Sequence, residues 1–134
     1  MPTRYQLLRR TVVNLASPAE DQVEYLDRSF ASLTGGGSAA GYGNDELALE
    51  FDDSYIAVGH MCEYGEISQR EIEVLRPLNA LLDRWSGQSN ADFWRREALF
   101  TDPRWAEVRD CAAQALAQLP DELRESEYTR SLSA

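Results

Sequence analysis

Lysine is missing from this chain. All thirteen basic residues are arginine, and they face twenty-three carboxylates, for a net charge of −10. From Ala31 to Gln69 there is no arginine either, while that window holds Asp45, Glu46, Glu50, Asp52, Asp53, Glu63 and Glu66. Nucleic acid is therefore not expected as a partner, because binding it takes cationic groups that displace counterions. A basic protein would instead be attracted and steered. Long apolar runs are also missing. None approaches the roughly 20 residues of a membrane span, and MPTRYQLLRR lacks the apolar stretch and cleavage site of a secretory signal. The expectation is a soluble, cytoplasmic protein with no membrane partner. Cysteine is scarce: Cys62 and Cys111 only, with no CxxC and no Cys/His cluster at zinc spacing. Each lies in an apolar helical pattern, which favours buried free thiols over a disulfide in a reducing compartment.

What is present suits a folded domain. A chain of 134 residues makes one domain, taken here as 1–134, and buries roughly two-thirds of its unfolded surface. Apolar residues at 43% suffice for a core.

Helical spacing recurs along the chain. Arg4–Leu15 places Leu8, Val12 and Leu15 on one face, although β-branched Thr11, Val12 and Val13 leave a strand open there. Ser17-Pro18-Ala19-Glu20 is a capping box with proline at the first position, and Val23, Leu26, Phe30 and Leu33 follow as an apolar face. Gly35–Gly43 reads as a flexible loop. A third helix is predicted over Asp45–Glu63, burying Leu47, Phe51, Tyr55, Val58 and Cys62, widened by Ala48, Ile56 and Met61, and stopping near Gly65. Ser68–Glu71 is a second capping box, opening a helix whose apolar face is Ile72, Leu75, Leu78, Leu82 and Trp85. Pro77 should kink that helix or split it. Ser86–Asn90 reads as a turn and Ala91–Thr101 as one or two helical turns. Asp102 and Pro103 then start a helix with Trp105, Val108, Ala112, Ala115 and Leu119 inward, and with Arg104, Glu107, Asp110 and Gln114 toward water. Residues 121–134 read as either one more helical turn or a frayed tail. The sum is an all-α, single-domain bundle of about five or six helices.

Motifs that carry chemistry are wanting. The lone histidine sits in His60-Met61-Cys62-Glu63, the reverse of the Glu-x-x-His ligand order, and occurs once. No calcium-loop pattern, nucleophile elbow or phosphate-binding glycine loop exists. No catalytic residue, metal site or cofactor is assigned. Asn44–Asp53, NDELALEFDD, is the conspicuous stretch: five carboxylates, with Glu46, Glu50 and Asp53 forming one helical stripe. Phe93 and Trp94, adjacent in sequence, cannot both point inward from one helix.

Three segments resemble a known family: DELALEFDDSYIAVG at Asp45–Gly59, GEISQREIEVLRPLNALLDRWSG at Gly65–Gly87, and FWRREALFTDPRWAEVRDCAAQAL at Phe93–Leu116. Their order is similar to that in small helical immunity proteins of bacterial polymorphic-toxin and contact-dependent inhibition systems. The resemblance implies a non-enzymatic cytoplasmic protein that neutralises a cognate toxin, commonly a basic nuclease. Its motifs are core and capping positions, so it carries over no contact residue. The candidate partner-binding set therefore comes from charge and from tyrosines beside it: Tyr42, Asp45, Glu46, Glu50, Asp52, Asp53, Glu63, Tyr64 and Glu66. The rival expectation is a small ligand-binding protein or enzyme with a pocket between helices, lined by Trp85, Trp94, Trp105 and His60.

Overall fold

The computed structural model describes residues 3–34 and 43–120; Tyr42, most of the glycine-rich loop and the 121–134 tail lie outside them. The described residues form seven α-helices and one 3-10 helix, with no strand: α1 Arg4–Ala16, α2 Ala19–Thr34, α3 Asp45–Tyr55, α4 Val58–Glu63, α5 Gln69–Arg84, the 3-10 helix Gln88–Trp94, α6 Ala98–Thr101 and α7 Pro103–Ala117. The protein is all-α, and β-branched Thr11-Val12-Val13 lies within helix α1.

Helix α1 is central. It packs along α7 and along α3, and α7 also packs against α5. Tyr5, Leu8, Val12 and Leu15 point into this junction and are buried, as are Trp105, Val108, Ala112 and Ala115 of α7. A reciprocal Thr3–Gln6 capping box starts α1, a signal the sequence carries and that the spacing of apolar residues alone passes over. The capping box expected at Ser17–Glu20 is not formed: Ser17 instead ends α1, its amide on the Asn14 carbonyl and its hydroxyl donating to that of Val13. Gln22 joins three helices. Its amide nitrogen donates to the Asn14 and Leu15 carbonyls at the end of α1, and its oxygen accepts from Arg109 of α7 at 3.0 Å.

Two capping predictions hold. Ser68 and Glu71 close a capping box on α5, and the Asp102 carboxylate accepts from the Arg104 amide with Pro103 in the first turn of α7. Helix α5 runs unbroken through Pro77. Of the face expected on α2, Leu26 is buried and Val23 half-buried; Phe30 and Leu33 have side chains outside the described ones.

The long helix over Asp45–Glu63 is corrected. It breaks after Tyr55, where the Ala57 amide turns back to Ser54 and Ala57 takes φ −92° and ψ 0°. Ile56 and Val58 are β-branched and Gly59 is flexible, all poor helix formers at the junction. The break leaves Ile56, expected in the core, 81% exposed, and aims Met61 fully inward. Helix α4 then ends in a Schellman motif: Gly65 at φ +73°, its amide on the Cys62 carbonyl and the Glu66 amide on that of Met61.

The segment after α5 differs too. The 3-10 helix begins at Gln88, inside the expected turn, and α6 is a separate short helix. Phe93 is fully buried and Trp94 half-buried. Phe93 stacks on Trp105 at 4.5 Å, and Trp94 meets both edge-on. Trp105 Nε1 donates to the Phe93 carbonyl and Trp94 Nε1 to that of Trp85, so both indole dipoles are satisfied in this aromatic knot. Arg104, expected to face water, instead lies over Trp85 and Phe93 and is held by Asp92 and Asp102. An arginine can cover an aromatic face while keeping its fork on carboxylates.

The candidate acidic face and the groove beside it

Helix α3 presents its carboxylates on two flanks of the buried Leu47–Phe51 ridge. Its N-terminus is built on Asn44, which is fully buried and donates to the Phe93 carbonyl at 3.1 Å instead of capping the helix. This ties the start of α3 to the aromatic knot. The backbone is close-packed at Gly43: a Cβ would come within 3.3 Å of the Trp94 carbonyl and 2.6 Å of the Asp45 carboxylate, which would have to move aside. Asp45 and Glu46 lie in the first turn, where the helix dipole favours negative charge.

The predicted partner residues separate into groups. On one flank stand Glu46, Glu50 and Asp53. Glu50 accepts the Tyr25 hydroxyl of α2 at 2.6 Å, so this carboxylate is already committed. On the other flank, Asp45, Ala48, Leu49 and Asp52 recur at steps of three, one and three, and line a groove. The carboxylates of Asp45, Asp52 and Asp53 are exposed and take no ion pair or hydrogen bond from a described residue. Glu63, Tyr64 and Glu66 belong to a different corner. Glu66 is paired with Arg4, whose Nε lies 3.1 Å away. That contact raises the Arg4 pKa, chiefly through the hydrogen bond. Arg4 Nη1 also donates to His60 Nδ1 at 2.8 Å, and His60 packs on Tyr64, which is 63% exposed. Glu63 is exposed beside them.

The groove has a second wall that sequence spacing did not single out. Asn79, Leu82 and Asp83 of α5, with Ser86 just past its end, repeat the pattern of α3 at steps of three, one and three. Phe51 and Leu82 are buried and form the floor; Ala91 and Trp94 also line it. Its volume is about 710 Å³, within the range of ligand-sized sites. The periodicity of each wall was in the sequence, but only the packing sets one against the other.

The four residues of the rival pocket are not gathered around one cavity. Trp94 lines the groove, Trp105 is fully buried, Trp85 contributes to the knot, and His60 sits at the Arg4 corner. Cys62 and Cys111 are free and half-buried, and burial raises the Cys111 thiol pKa. Among the described residues no three or more His, Cys, Asp or Glu side chains converge as a metal site, and no described helix is long and apolar enough to cross a membrane. No protein-family model matches this sequence, and no curated protein or solved structure matches it.

Proposed function

We propose that this chain is a non-enzymatic binding protein that neutralises a basic protein toxin in the cytoplasm, the role implied by its resemblance to small helical immunity proteins. The observation that carries the reading is the set of three aspartates on α3 that no described residue engages. Asp45, Asp52 and Asp53 project from one helix with no described cation or donor on their carboxylates, in a stretch where the sequence supplies none from Ala31 to Gln69. Like charges held together destabilise a fold slightly and are relieved by an opposite charge. A basic partner supplies it. A nuclease fits, since its substrate surface is cationic by necessity.

Growth rescue tests the proposal. The protein encoded beside this chain is expressed alone and together with it, and survival is scored. Toxicity relieved by co-expression is the expected outcome. A neighbour that is harmless, or a toxicity that this chain leaves untouched, overturns the reading.

A further inference from the structure

We propose that the groove between α3 and α5 seats large apolar side chains from a cationic segment of a partner protein, with Asp45, Asp52 and Asp83 gripping the basic residues on either side of them. This deepens the preceding section and rests on its reading that the partner is a basic protein.

The chemistry of the groove specifies such an occupant. Its floor is apolar, formed by Phe51 and Leu82. Its rims carry three exposed aspartates, two from α3 and one from α5, and among the described residues no arginine lines it. None of the three carboxylates is engaged by a described residue. An acidic or purely apolar occupant would leave three negative charges close together beside a water-excluded surface, where repulsion and lost hydration both act against binding. An apolar side chain flanked by arginine or lysine satisfies floor and rims together.

Size and shape favour a segment of protein. The lining residues run over eight positions on each wall, 45–52 and 79–86, about 10 Å of axis at about 1.5 Å per residue. That length accepts roughly two turns of a partner helix with side chains at one face, the arrangement of helix-in-groove recognition. Leu49, 48% exposed, extends apolar surface onto the α3 rim. A small cation enclosed by the groove would leave that leucine in water, whereas a segment lying across it covers both.

Peptide display on the full chain tests this. A library of random peptides of roughly sixteen residues is selected on the native protein, and the enriched peptides are mapped by amide and indole NMR shifts. Enriched sequences should carry arginine or lysine on both sides of a large apolar residue. They should shift Ala48, Leu49, Asn79, Asp83 and the Trp94 indole, and weaken by about tenfold or more against Leu49→Ser and against the combined Asp45→Asn, Asp52→Asn and Asp83→Asn chain. These positions are exposed, so circular dichroism of both variants should match the native protein. Failure to enrich any peptide, enrichment of acidic or uncharged peptides, or binding that both variants retain overturns the proposal. So does a result in which phenethylammonium reproduces the shifts and peptides do not, since the site then takes a small amine. The growth assay is independent: rescue without groove binding removes the groove and leaves the neutralising role, and groove binding without rescue does the reverse.

Discussion

Carboxylates at the two ends of the aromatic knot live in opposite circumstances. At the α7 end, Asp92 and Asp102 share Arg104, and nearby Asp27 takes Arg96 at 3.1 Å. At the α3 end, Asp45, Asp52 and Asp53 have no such cation among the described residues. Both ends are anchored by the same backbone, since the Phe93 carbonyl accepts from Trp105 and from Asn44. The difference lies in what the chain places beside the acids. Charge that a protein neutralises internally serves its fold; charge that it leaves exposed on a rigid helix is available to something else.

The neutralised end should resist substitution least. Trp105→Ala removes a fully buried indole stacked on Phe93 and should cost about 3–5 kcal/mol of stability, read as a loss in denaturant midpoint. A cost under about 1 kcal/mol would mean the knot is not the mechanical centre of that end. Gln22→Ala comes next. It strands the Arg109 donor and the Leu15 carbonyl in a buried site, while the Asn14 carbonyl keeps the Ser17 amide, for about 1–3 kcal/mol, measured in the same way.

A smaller effect concerns pH. The Arg104 hydrogen bond holds the Asp102 carboxyl below its ordinary range. A depressed folded pKa contributes stability above the unfolded value, near 3.9, and that contribution is lost as pH falls through the folded value. The Asp102→Asn chain should therefore be less stable than native by a constant margin at neutral pH, and the margin should close below about pH 4. A margin unchanged down to acid unfolding would assign the role of Asp102 to its cap alone.

Sequence was a good guide to elements whose signals are local. Asp102-Pro103 and the Ser68–Glu71 box each start a helix where their chemistry requires. It was a poorer guide where neighbours in space decide. Arg104 looked solvent-facing from its helical phase, yet the aromatic faces and Asp92 from the preceding segment draw it inward. The apolar stripe over Asp45–Glu63 continued in phase, so nothing periodic marked the break at Ile56 and Ala57; weak helix formers there were the available hint. The acidic stretch was legible as such, but its division into an engaged flank at Glu50 and a groove flank at Asp45 and Asp52 depends on where α2 and α5 pack.

The most direct test of the central claim compares two chains that lose the same charge from different places. One carries Asp45→Asn, Asp52→Asn and Asp53→Asn on α3. The other carries Glu97→Gln, Glu107→Gln and Asp110→Asn, exposed carboxylates around α7. Survival against the neighbouring toxin is scored at equal abundance. The account predicts that the α7 chain protects as the native protein does and the α3 chain fails. Equal protection by both, or equal loss, would contradict it, because the carboxylates of α3 would then be either idle or no more than part of the net charge.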